Sequence, residues 1–103
     1  MIDLIEKHKC EIEEFCKQFG VKSLDTCGSV LDERRFKRYE SDIDFVVEFE
    51  PMEATRHAKS YFGLLERLQD IFARNIDLIE IKAVNNPYLR DSINQNRSRI
   101  YAA

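Results

Sequence analysis

Asp42 and Asp44 are the residues of this chain whose type and spacing point most directly to chemistry. They stand in the run Asp42-Ile43-Asp44-Phe45-Val46-Val47-Glu48-Phe49, whose period-two alternation and Ile, Phe and Val content predict a β-strand. Aspartate is disfavoured in strands, and at this spacing both carboxylates share one face, roughly 6–7 Å apart along the chain. Two like charges so placed repel, and they stay ionised where something positive lies between them. A divalent cation suits the position: hard carboxylate oxygens favour Mg²⁺, which also keeps waters that phosphate oxygens can replace. The opposite face (Ile43, Phe45, Val47 and Phe49) is apolar and would fasten the pair to a core. An isolated D-x-D is more often a solvent-facing strand edge, here continued by Glu48.

Three neighbouring features favour the chemical interpretation. Asp77 opens a second β-branched run, Ile76-Asp77-Leu78-Ile79-Glu80-Ile81, where a carboxylate is again out of place. If the two strands are neighbours, their spacing of about 4.8 Å could bring Asp77 beside the first pair. Gly28-Ser29 follows a short predicted strand over residues 21–27. Glycine there permits close backbone approach, and Ser29 can offer a hydroxyl and an N–H to phosphate oxygens. Ser41 adds a further hydroxyl just before the acids, or serves as a turn residue.

The elements that must carry these groups are legible in outline. Ile5, His8, Ile12, Phe15, Cys16 and Phe19 recur at steps of three and four, predicting a helix over residues 2–19, with Gly20 as its C-terminal stop. Pro51 ends the acidic strand, because it lacks an N–H for the ladder. Ala58, Tyr61, Phe62, Leu65, Leu68, Ile71 and Phe72 predict one face of a helix over residues 54–73, in which Gly63 costs roughly 1 kcal/mol relative to alanine. Asn86-Pro87 reads as an N-cap and first helical residue. Leu89, Ile93 and Ile100 then form the apolar side of a last helix, whose dipole Arg97 and Arg99 would suit. The expectation is a small mixed α/β sheet flanked by helices, one domain over residues 1–103.

Composition narrows the function classes. The chain has 103 residues, with 16 Lys+Arg against 19 Asp+Glu and a net charge of −3. That length has no room for a second substrate-binding domain. At 34% charged and 44% hydrophobic residues the composition is that of a soluble globular protein. No apolar run approaches the ~18–20 residues of a membrane span. The start, Met1-Ile2-Asp3, lacks a secretory pattern, so a cytoplasmic location is expected. Cys10, Cys16 and Cys27 fit neither a disulfide framework nor a zinc site. The acidic total disfavours nucleic acid as a partner, although Arg34, Arg35, Lys37 and Arg38 could guide a triphosphate or an acidic partner.

His8, on an apolar stripe, reads as a hydrogen-bonded core histidine. His57, at a helix start, has no partner at metal-ligand spacing.

Taken together, Gly28-Ser29, the block Ser41-Asp42-Ile43-Asp44-Phe45-Val46-Val47 and Ile76-Asp77-Leu78-Ile79 resemble the DNA polymerase beta-like nucleotidyltransferase superfamily. The size, and the ending from Pro87-Tyr88-Leu89-Arg90 to Ala103, look like its minimal nucleotidyltransferases, the MNT family. The resemblance covers nearly the whole chain. It implies the polymerase beta-like fold and Mg²⁺, two ions, held by Asp42, Asp44 and Asp77, with Asp77 as metal ligand or as base toward an acceptor hydroxyl. Gly28, Ser29 and Ser41 would bind the nucleotide, ATP, with AMP transferred to the acceptor. The implied partner is a HEPN-type toxin, which this chain would neutralise as antitoxin by adenylylating a tyrosine. Many members follow Gly-Ser with a second glycine before the acids. Here Val30-Leu31-Asp32-Glu33-Arg34 has none, which leaves open an antitoxin that acts by binding alone. Transfer to a small molecule is a further alternative, and the sequence leaves a homo-oligomer open.

Overall fold

The computed structural model describes residues 2–27 and 43–103. Their elements run α1 (Ile2–Lys7), α2 (Lys9–Gln18), β1 (Val21–Cys27), β2 (Ile43–Phe49), α3 (Ala54–Phe72), β3 (Ile76–Glu80), α4 (Pro87–Asn96) and β4 (Ser98–Ala102), with a 3₁₀ turn at Ile81–Ala83. The sheet has the order β3-β2-β1-β4. β1 is antiparallel to both β2 and β4, whereas β2 and β3 are parallel. A parallel pair needs a crossover, and α3 supplies it.

One face of the sheet carries most of the core. Ile43, Phe45 and Val47 of β2, fully or almost fully buried, meet Leu24 of β1, Leu78 of β3, Ile12 and Cys16 of α2, and Leu64 and Leu68 of α3. This is the apolar face that the alternation in residues 43–49 predicts. The second face is covered in part by α4, whose Ile93 packs on Cys27 and Val46, with Ile79, Ile81 and Val84 around them.

Punctuation residues act as expected. Gly20 follows α2 at φ 69°, a left-handed conformation that costs glycine little. β2 ends two residues before Pro51. The Asn86 side chain accepts hydrogen bonds from the backbone N–H groups of Tyr88 and Leu89, and Pro87 takes the first helical position.

Four expectations are corrected. The first helix is interrupted at His8, whose N–H turns back to the Ile5 carbonyl at 3.1 Å. His8 itself is half-buried: its ring meets the Phe72 ring edge-on and its Nδ1 lies 3.1 Å from Glu11 Oε1. The buried stripe of α3 is rotated, running through Ser60, Leu64, Leu68 and Phe72, while Ala58 and Phe62 are exposed. Finally, the chain does not continue as helix past Asn96. Ile100 and Arg99 belong to β4, Leu89 is exposed, and Arg97 is the C-cap residue of α4.

Candidate active site

Asp44 sits in the first turn of pleat of β2, between the fully buried Ile43 and Phe45. Asp77 sits at the same place in β3, between the buried Ile76 and Leu78. In the parallel ladder Ile43 is level with Ile76, Asp44 with Asp77 and Phe45 with Leu78. Register partners in a sheet point to the same side, so the two aspartates share the face opposite the main core. Asp44 is half-buried and Asp77 exposed. This is the juxtaposition that the sequence raised as a condition, and it follows from two apolar alternations locked in phase.

The row extends to β1, where Cys27 is level with Asp44. The buried Cys27 directs its thiol toward the Ile93 carbonyl at 3.9 Å, which ties α4 to the end of that row. Thus β1 ends and β2 begins at the level of the acids. Gly28, Ser29, Ser41 and Asp42, together with the basic stretch Arg34, Arg35, Lys37 and Arg38, lie outside the described residues. Among the described residues no group of three or more His, Cys, Asp or Glu side chains is placed to hold a metal ion. The expected trio includes Asp42, so among the described residues Asp44 and Asp77 are the two that would serve as donors. As hard oxygen donors on one face of adjacent strands, these two fit Mg²⁺ chemically.

Tyr61 of α3 closes the outer edge of β3 by donating its hydroxyl to the Leu78 carbonyl at 2.5 Å. Burial raises its pKa above the ordinary tyrosine value, and the charges of Glu80 and Asp77 push in the same direction. At the other end of β2 lies a cavity of about 350 Å³, lined among others by Glu48, Glu50, His57, Glu80 and Lys82. His57 Nε2 lies 2.5 Å from Glu80 Oε1. Glu48 is held below the usual carboxylate range, chiefly by the hydrogen bond from Lys82 at 2.9 Å. Neither Asp44 nor Asp77 lines this cavity, so its position gives no support to the acid row as a pocket.

The sequence-based expectation overlooked Asp25. It is buried on the same side of the sheet as Asp44, with Arg97 Nε 2.7 Å from one carboxylate oxygen and Arg99 Nε 2.6 Å from the other. Its only signal in the sequence was a charged residue at the centre of an otherwise strand-like run. The two arginines are two apart, a spacing that becomes informative once Ser98–Ala102 is known to be a strand.

No helix among the described residues is long and apolar enough to cross a membrane.

Comparison with known proteins agrees with this fold. Residues 9–100 match the family described as "Nucleotidyltransferase domain". The chain is 33% identical over 94 residues to "Putative protein adenylyltransferase MJ1379" of Methanocaldococcus jannaschii, covering 91% of this chain and 88% of that one. A second protein of the same organism, "Putative protein adenylyltransferase MJ0128", is 34% identical over 94 residues, with the same coverage. Among solved structures, one described as a minimal nucleotidyltransferase superposes with a TM-score of 0.67 at 21% identity, covering 93% of this chain and 92% of that one. The MntA-HepT toxin-antitoxin superposes at 0.63 with 12% identity, covering 95% and 73%. At such identities these two likenesses speak for the fold. The family match over nearly the whole length, joined to relatives at 33% and 34% identity, establishes that this chain belongs to the nucleotidyltransferase domain family.

Proposed function

We propose that this chain transfers AMP from ATP to a hydroxyl group, a tyrosine, of a HEPN-type toxin and thereby acts as its antitoxin. The single observation that supports catalysis most directly is the register of Asp44 with Asp77, which sets two hard oxygen donors side by side on one face of adjacent strands. In the transfer, the acceptor oxygen bonds to the α-phosphorus of ATP. The bond from that phosphorus to the α–β bridging oxygen breaks, and pyrophosphate leaves. Asp42, Asp44 and Asp77 would hold Mg²⁺, two ions. Bound there, the metal neutralises triphosphate charge and favours the ionised acceptor hydroxyl. Asp77, the exposed member of the row, would complete the metal site or take the acceptor's proton. Gly28, Ser29 and Ser41 would grip the phosphates.

Relatives support the choice of substrate and partner. The Methanocaldococcus jannaschii proteins carry the name protein adenylyltransferase. Neighbouring solved structures include a toxin-antitoxin with AMP-PNP and a tri-AMPylated Shewanella oneidensis HEPN toxin in complex with an MNT antitoxin. A domain of this size also leaves little surface for a small-acceptor pocket, which favours an acceptor that brings its own binding surface.

Incubation with α-labelled ATP, Mg²⁺ and the HEPN-type product of the neighbouring gene should label that product. The Asp42→Asn/Asp44→Asn double variant should fold and fail to label it. Absence of transfer by the folded wild-type chain overturns the proposal. The missing second glycine after Ser29 favours one other reading, an antitoxin that acts by contact alone. Equal protection from the toxin by the double variant selects it.

A further inference from the structure

Asp25 is a buried carboxylate that the transfer reaction does not use. Its side chain is 3% exposed, and the two guanidinium groups on it come from one short stretch, Arg97 just before β4 and Arg99 within it. Arg99 Nε lies 2.6 Å from Oδ1, yet that oxygen has no hydrogen-bond donor in line and is held by charge. As a source of stability this arrangement is poor. Desolvating a carboxylate costs several kcal/mol, and apolar replacements of buried ionic triads are often neutral or stabilising. The best-attested use of such groups is to fix a register.

The register here needs fixing. Along β1–β4, Leu24 is level with Tyr101, whereas the next residue, Asp25, is level with Arg99. One step on β1 therefore spans two on β4, and the irregularity falls at Asp25. At a bulge one residue is left unpaired and the ladder is locally disrupted, so side-chain contacts help to hold the pairing beyond it. A carboxylate bridging both arginines holds only in the observed phase. Two residues beyond Asp25, Cys27 is level with Asp44 and contacts the Ile93 carbonyl of α4, the helix that feeds directly into β4. Slippage of β4 would pull on α4 and, through Ile93, on Cys27 and Val46 beside Asp44 on the same face.

We propose that Asp25, with Arg97 and Arg99, is a positioning device: it locks the bulged β1–β4 register and so holds the β1 end beside Asp44 in its working place. This rests on the reading of Asp44 and Asp77 as the catalytic row. Two variants test it. Asp25→Asn leaves the shape but removes the charge. The triple variant Asp25→Leu/Arg97→Met/Arg99→Met removes the pin while filling the space, so it keeps thermal stability near wild type. Both should exchange the amide hydrogens of Thr26, Cys27 and Asp44 at least about tenfold faster than wild type under native conditions. Both should transfer AMP with kcat lowered about tenfold or more and the KM for ATP within about twofold of wild type. A stable triple variant with wild-type exchange at these amides overturns the inference. So does wild-type kcat in a variant whose exchange has risen. If the wild-type chain itself transfers no AMP, the proposed function fails, while the exchange comparison still decides whether Asp25 locks the register.

Discussion

Asp77 of β3 is the register partner of Asp44 of β2, so two carboxylates lie side by side above a strand pair whose other face is packed hydrocarbon. Like charges facing each other across two strands are destabilising, and a shared cation relieves that cost. Asp77→Asn should therefore melt at or above the wild-type temperature in chelator, by up to about 5 °C in a domain this size. Millimolar Mg²⁺ should raise the melting temperature of wild type and leave that of the variant unmoved. AMP transfer should fall at least about 100-fold in the variant. Thermal scans with and without Mg²⁺ check the first two statements, and the labelling assay checks the third.

Burial pushes the Cys16 thiol up from 9.0 to about 12, and the charge of Glu13 acts in the same direction. The folded state thus holds this proton more tightly than the unfolded state does. The associated stability is complete below about pH 9 and is lost as pH rises toward 12, by at most about 1.4 kcal/mol per pH unit. Tyr61, also raised, adds to the loss above its ordinary value near 10.0. Urea denaturation from about pH 8 to about pH 10 should show the decline, and Cys16→Val should remove most of it. In the native protein a thiol reagent should modify the exposed Cys10 and spare Cys16.

Gly63 in the middle of α3 sets two effects against each other. Alanine gains roughly 1 kcal/mol in helix propensity. Its Cβ, however, would stand 2.6 Å from Cε1 of the Phe19 ring, a distance real contacts do not tolerate. Overpacking of this kind costs typically about 1–3 kcal/mol, because a ring flanked by core neighbours cannot swing freely. Gly63→Ala should therefore destabilise by about 1 kcal/mol. In the Phe19→Ala background the same substitution should become stabilising, and a double-mutant cycle measures the difference.

Tyr61 donates its hydroxyl to the Leu78 carbonyl, on the edge strand that carries Asp77. Tyr61→Phe keeps the ring and loses that bond, so stability should fall by about 0.5–1.5 kcal/mol. The amides of β3 should exchange faster in the variant, whereas those of β4, at the far edge of the sheet, should not.

The two strands bearing the acids were readable because each alternates buried aliphatic or aromatic residues with polar ones, and Pro51 marks where the first must stop. The neighbouring placement of Asp44 and Asp77 was a conditional expectation: alternation gives the face of each strand but not which strands pair. β4 escaped because Ser98-Arg99-Ile100-Tyr101-Ala102 follows a helical run with neither glycine nor proline between. Ile100 happens to fall at a spacing that prolongs the stripe of Ile93. The α3 stripe departs from the expected one because size and apolarity alone do not decide which residues of that helix face inward. In fact a small Ser60 is buried, and Phe62 stays 64% exposed with its ring edge-on to Tyr61. The break at His8 has no breaker residue to announce it. The Asp25 pair was invisible for a different reason: an ion pair across two strands exists only after both strands and their irregular pairing are known.

The parallel joining of β2 to β3 has a consequence for how this chain can change length. Side chains alternate sides at every residue of a strand, so sliding β3 by a single position would bury Asp77 and turn Leu78 toward water, while a slide of two would restore the side but carry the carboxylate about 7 Å away. Insertions in the crossover are therefore harmless only where they bulge outward and leave the phase of the two strands untouched. In that sense parity decides the side, and only the unshifted phase lets the acids meet.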